Sequence, residues 1–202
     1  MKDILVDTDG FNQYYEELNR LKDISLSIAS IGSESYVDYE KMYLSRYKLL
    51  RKAYERADLK NDPDYMVFLK KEKDWLLDYC LFMAIKNAQN GKCWIDWPEE
   101  LKDRHSKAVK EAEKELAEEI EFYRFQQYCF TTQWRKLKAY ANKKDISIIG
   151  DVPIYVALDS SDAWANPEML QFDEDYDPKA VAGCPPDAFS ATGQLWGNPL
   201  YN

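Results

Sequence analysis

Apolar positions recur at intervals of three and four along most of the first 142 residues, and the period then disappears. The pattern predicts an opening helix around Phe11–Lys22 and a polar stretch from Ser25 to Ser35. A second helix is expected over Asp38–Ala57, where Tyr39, Met42, Tyr43, Arg46, Leu49 and Leu50 keep helical spacing. A third runs from Asp64 to Lys86 after the restart at Asp62-Pro63, and shows Phe68, Leu69, Trp75, Leu76, Cys80 and Met83 on one broad face. Asn87 to Pro98 reads as a loop, whose Trp94 and Trp97 either pack or sit on the surface. The most regular segment is His105–Asn142, free of Gly and Pro; Val109, Ala112, Leu116, Ile120, Tyr123, Phe130, Trp134, Leu137 and Ala141 line one stripe. As one helix it would be about 55 Å long.

After Asn142 the pattern changes to that of a strand. Ile146-Ser147-Ile148-Ile149 is a short β-branched run following a helix and a Lys143-Lys144-Asp145 turn, the αβ half of a β/α unit with a buried parallel strand. Ile4–Val6 is a weaker candidate strand. Asp151 then falls at the carboxyl end of the Ile146–Ile149 strand. In β/α folds that end faces the active site, so a carboxylate there is a site candidate; a loop-stabilising Asp is the plain alternative. From Asp159 to Asn202 no period is evident.

Breakers follow the same division. Gly150 onward holds four glycines and six prolines in 53 residues, against Gly32, Gly91, Pro63 and Pro98 between residues 11 and 142. A long segment without regular elements is either functional or disordered, and Trp164, Phe172, Tyr176, Phe189, Trp196 and Tyr201 make this one too aromatic for disorder. Pro185-Pro186-Asp187-Ala188-Phe189 is a stiff turn that holds a phenylalanine at a loop tip. Gly193 to Pro199 sets Gln194, Trp196 and Asn198 among glycines. Aromatic faces beside amides and carboxylates suit a sugar, which stacks its C–H face and hydrogen-bonds its hydroxyls. A structural loop packing its own aromatics accounts equally well for the pattern.

Composition narrows the chemistry. With 46% hydrophobic residues the 202-residue chain can bury a core, and a net charge of -9 argues against sequence-independent nucleic-acid binding. No apolar run reaches membrane-spanning length and the start shows no secretory signal, so a cytoplasmic location with no membrane partner is expected. Cys80, Cys93, Cys129 and Cys184 form no C-x-x-C pair and read as reduced thiols. His105 is the single histidine, which excludes His-x-x-x-His metal chemistry and disfavours a Ser-His-Asp triad. Any chemistry falls to carboxylates and aromatics.

Two stretches, GDVPIYVALDSSDAWANP (Gly150–Pro167) and VAGCPPDAFSATGQLWGNPLY (Val181–Tyr201), resemble the 4-α-glucanotransferases, the amylomaltases or disproportionating enzymes related to α-amylases. FYRFQQYCFTTQWRKLKAYAN (Phe122–Asn142) is similar to the helix before that family's third barrel strand. Tyr36–Glu55 and Trp75–Lys86 resemble its helical insertion. The resemblance implies an α/β fold, an incomplete (β/α)8 TIM barrel with a helical insertion subdomain that is mostly α-helical as it stands. It implies four regions: 1–35, an N-terminal remnant with a possible early barrel strand and helix; 36–104, the helical insertion; 105–158, the long helix with strand three; and 159–202, an irregular substrate-cleft loop region.

The activity implied is transfer of α-1,4-glucan segments between maltodextrins by retaining double displacement, with maltooligosaccharides and α-1,4-glucans as partners and no cofactor or metal. By matching position Asp151 corresponds to the family's first-region aspartate. Asp187 and Phe189 belong to its glucan-contacting loop, and Gln194 and Trp196 to the cleft wall. Ala188 stands where many members carry a tyrosine, and Cys184 where a small aliphatic residue is usual. The family nucleophile and acid/base lie beyond Asn202, so no catalytic residue is assigned, and a fragment of a longer enzyme, inactive alone, is expected. A non-catalytic glucan-binding module or a decayed gene product is the alternative reading.

Overall fold

A computed structural model describes residues 36–202. The expected helix over Phe11–Lys22 and the candidate strand Ile4–Val6 lie outside the described residues. The described chain falls into two compact units, one of residues 36–66 with Phe125–Ile146, the other of Val67–Arg124 with Ser147–Asn202.

In the first unit α1 spans Tyr39–Arg56. Asp38 caps it, its carboxylate accepting from the Lys41 amide at 3.0 Å, as Asp at an N-cap should. Asp62 performs the same office for α2 (Pro63–Lys71), accepting from the amides of Asp64 and Tyr65 at 2.9 and 3.2 Å, with Pro63 at the first helical position where its missing N–H costs nothing. The second oxygen of Asp62 accepts from the Tyr128 hydroxyl at 2.9 Å, and Tyr65 packs edge-on against the Tyr128 ring at 5.2 Å. Burial first, and the Asp62 carboxylate second, push the Tyr128 hydroxyl well above its ordinary pKa. Tyr54 meets Phe125 at 5.7 Å.

The second unit is built on α3 (Lys73–Ala88), which buries Leu76, Cys80, Leu81, Phe82, Ala84 and Ile85. Gly91, at φ 77, turns the chain out of it with its amide on the Lys86 carbonyl. Trp94 and Trp97 pack rather than face solvent, at 0% and 4% exposure. Phe82, Trp97 and Trp164 form one cluster with ring separations of 5.3, 5.6 and 5.9 Å. Each buried indole N–H has a carbonyl partner: Trp94 donates to Leu158, Trp97 to Lys92 and Trp164 to Leu101. Trp164 belongs to the short helix Ser161–Ala165, capped by Ser160. Arg104 covers its ring at 4.2 Å while its guanidinium bonds Asp78 at 2.6 Å.

Four expectations need correction. The helix expected over Asp64–Lys86 bends at Glu72, which separates α2 from α3. The single helix expected over His105–Asn142 is divided at Leu116 into a helix of Ser106–Glu115 and one of Ala117–Asn142; Leu116 has left helical geometry, with φ -102 and ψ 17, although no breaker residue stands there. Ile146–Ile149 is not a strand. Among the described residues it has no ladder partner, and Ile146 and Ile149 are 59% and 94% exposed. A parallel strand is held by neighbours on both edges, and apolar composition alone cannot supply them. Finally, the region expected to be irregular contains an antiparallel ribbon, β1 (Val181–Cys184) with β2 (Gln194–Pro199). The described residues are mostly α-helical and contain no parallel sheet.

Candidate functional site

The ribbon and its connecting loop carry four of the five candidate residues. Gly183 pairs with Leu195 and Cys184 with Gln194. A Cβ on Gly183 would meet the Gln194 carbonyl at 2.5 Å, so only glycine allows the two backbones this close. Residues 185–193 close the ribbon. Asp187 shapes the tip as an Asx turn: one carboxylate oxygen accepts from the amides of Phe189 and Ser190 at 2.9 and 2.8 Å. The Ser190 hydroxyl donates to the Gly193 carbonyl at 2.7 Å, and Gly193 takes φ 76 to finish the loop. Phe189 is thereby held at the tip with 95% of its surface exposed. A ring so placed presents nearly all of its apolar face to solvent.

Gln194 and Trp196 lie two apart on β2 and so share one face of the strand. The Trp196 indole N–H donates to the Gln194 side-chain oxygen at 3.0 Å. That leaves the indole face, 46% of the residue being exposed, and the Gln194 amide nitrogen available as a donor. Asp151 is on a different segment. It is exposed and its carboxylate accepts from the following amide, Val152, at 2.8 Å. No direct bond joins Asp151 to the other four among the described residues, but Tyr155, four residues on, has its ring 6.2 Å from that of Trp196. Four residues of extended chain bound the Asp151–Tyr155 separation at about 14 Å.

Tyr155, Asn198 and Tyr201 were not among the candidates. Tyr155 stacks on Tyr201 at 6.0 Å with 16° between planes, and the Asn198 side chain donates to the Val156 carbonyl at 2.9 Å. The one sequence signal for Tyr155 is an aromatic placed in an apolar run close behind a candidate carboxylate. Among the described residues no cluster of His, Cys, Asp and Glu could hold a metal ion. The Cys80 thiol is buried and that of Cys129 half-buried, and both are poor nucleophiles: burial pushes Cys80 up to about 12, offset only partly by the nearby Arg124, and pushes Cys129 up to about 12. No helix among the described residues is long and apolar enough to cross a membrane.

The chain is similar to a class of proteins whose names describe glucan transfer. The 4-alpha-glucanotransferase family model matches residues 4–202, and the chain belongs to that family. It is 46% identical over 171 residues to the 4-alpha-glucanotransferase of Clostridium butyricum, covering 84% of this chain and 35% of that protein. It is 47% identical over 169 residues to the Thermus thermophilus 4-alpha-glucanotransferase, covering 82% and 34%. The structure of amylomaltase from Streptococcus agalactiae in complex with acarbose matches with a TM-score of 0.78 at 40% identity, over 86% of this chain and 36% of that one. The chain thus spans about a third of the length of these relatives.

Proposed function

We propose that this chain supplies part of the glucan-binding cleft of a 4-α-glucanotransferase that moves α-1,4-glucan segments between maltodextrins by retaining double displacement. In that reaction one carboxylate attacks the anomeric carbon while a carboxylic acid protonates the leaving oxygen. The 4-hydroxyl of an acceptor sugar, not water, then takes the glycosyl group. Both catalytic groups belong, in this reading, to parts of the enzyme other than these 202 residues, and Ile146–Ile149 becomes a paired strand only within a complete (β/α)8 barrel. Asp151, Asp187, Phe189, Gln194 and Trp196 are proposed to contact the sugar chain. The enzyme acts in the cytoplasm and needs no cofactor.

The observation that carries this reading is the exposed Phe189 at the tip of a loop braced by Asp187, beside a β2 face of indole and amide, in a chain of this family. A rigid ring face with nearby polar groups matches the amphipathic surface of glucose and favours transfer by holding an acceptor in place of water. The test is calorimetric titration of the 202-residue chain with maltoheptaose. Phe189→Ala and Trp196→Ala should each weaken binding by about 1–3 kcal/mol, as the loss of a specific packing contact does. Parent-like affinity in both variants would remove the ribbon from the cleft.

A further inference from the structure

Among the described residues Trp196 makes one side-chain hydrogen bond and one ring contact. Its indole edge is tied in the ring plane by the bond to Gln194, whereas its tilt out of that plane depends on Tyr155, whose ring lies 6.2 Å away at an interplanar angle of 53°. A two-stranded ribbon is a marginal support for an exposed side chain, and β2 is exposed from Gln194 to Gly197. Tyr155 is better anchored than the residue it touches. It stacks nearly parallel on Tyr201, and the next carbonyl along its chain, that of Val156, accepts from Asn198. A few residues on, Trp94 donates to the Leu158 carbonyl and Lys86 pairs with Asp159. The backbone that presents Tyr155 is therefore fastened, three residues on, to the buried Trp94, and the Tyr155 ring passes that fixity to Trp196.

We propose that Tyr155 is a positioning residue that sets the tilt of the Trp196 indole, and through it the face offered to a glucose unit. This rests on the glucan-binding reading above. The Tyr155 contacts to Trp196 and Tyr201 are both ring–ring contacts, and among the described residues the Tyr155 hydroxyl makes no hydrogen bond, so phenylalanine should serve in its place and an aliphatic side chain should not. Rigid placement matters because stacking falls off steeply once the ring planes leave their preferred arrangement.

The test labels the 202-residue chain with 5-fluorotryptophan and follows its fluorine spectrum and its affinity for maltoheptaose in Tyr155→Phe, Tyr155→Leu and Tyr155→Ala. The Trp196 signal is assigned by Trp196→Phe, and Trp94, Trp97 and Trp164 report on the fold. Tyr155→Phe should keep the parent spectrum and affinity. Tyr155→Leu should move or broaden the Trp196 signal alone and weaken binding about three- to tenfold, the worth of an aromatic pair. If Tyr155→Ala also disturbs the buried signals, the comparison of Leu with Phe decides. An unmoved Trp196 signal in Tyr155→Leu overturns the inference whether or not the chain binds sugar. If Trp196→Ala weakens binding and Tyr155→Leu does not, this inference alone fails; if Trp196→Ala binds like the parent, the glucan-binding reading fails instead.

Discussion

Asp187 divides its two carboxylate oxygens between different tasks. One is committed to the amides of Phe189 and Ser190, and the other is the one the proposed function gives to a sugar hydroxyl. Asparagine retains an accepting oxygen and alanine does not. Asp187→Asn should therefore keep the loop, while Asp187→Ala should cost about 1 kcal/mol of local stability and speed amide exchange at Ser190, measured by hydrogen–deuterium exchange. Equal exchange in both variants would place the turn's stability elsewhere. At Cys80 the expectation concerns pH. The unfolded thiol ionises near 9.0 and the folded one near 12, so between these values the unfolded state has released a proton that the native state keeps. The contribution is constant well below pH 9, and stability falls as pH rises above it, by up to about 1.4 kcal/mol per pH unit for this thiol. Urea denaturation from pH 8 to 10.5 should show a shallower loss in Cys80→Ala than in the parent; identical slopes would contradict it.

At the scale of elements, the ribbon gives a comparison between two glycines with the same backbone need. Gly193 and Gly197 both have φ near 80°. A Cβ on Gly197 meets nothing within 4 Å, whereas one on Gly193 would meet the Cys184 carbonyl at 2.6 Å and backbone atoms of Pro185 and Pro186 at 3.2 Å. Gly197→Ala should cost about 1 kcal/mol, the left-handed penalty alone. Gly193→Ala should open the ribbon, seen as loss of exchange protection at Gly183 and Leu195 with the helices unaffected. Similar exchange in the two variants would show the crowding to be relieved cheaply. The helix over Tyr39–Arg56 was legible because its signals are local, a 3.6-residue period and an Asp cap. The turn over Pro185–Phe189 was legible for the same reason, though not the Asp187 and Ser190 hydrogen bonds that hold it. The ribbon was not, since its strands are four and six residues long, are interrupted by Gly183, Gly197 and Pro199, and take their regularity from each other. Ile146–Ile149 erred in the other direction: an apolar β-branched run states what a strand needs from its neighbours, not that they are there. Of the candidate site, Phe189 and Trp196 could be named from turn and aromatic patterns, but Tyr155 depends on a contact between residues 41 positions apart.

At the scale of the whole molecule, the described residues leave extensive apolar surface uncovered. Phe130, Trp134 and Leu137 recur at helical spacing on the last turns of the Ala117–Asn142 helix and are 63%, 43% and 36% exposed; Ile149, Val152 and Ile154 follow at 94%, 78% and 70%. Surface of this kind promotes association. The 202-residue chain should be helical by circular dichroism, bind a hydrophobic dye and show a concentration-dependent mass by light scattering. It should not disproportionate maltotriose, since the transfer requires a nucleophile and an acid that the proposed function places elsewhere. A monodisperse monomer that ignores the dye would mean that these side chains are covered in solution, and conversion of maltotriose to glucose and longer chains would require catalytic groups within these residues.

Under the proposed function, the bond from the Trp196 indole to Gln194 bears on how a glucan is read. With its only polar hydrogen spent inside the protein, the ring has no means of asking which hydroxyl it faces. It can sense a flat apolar patch, and a linear glucan presents the same patch at every unit. A grip of that kind has no address along the chain: it can release one glucose and take the next without a change of partner, so a substrate could shift by whole units while remaining bound.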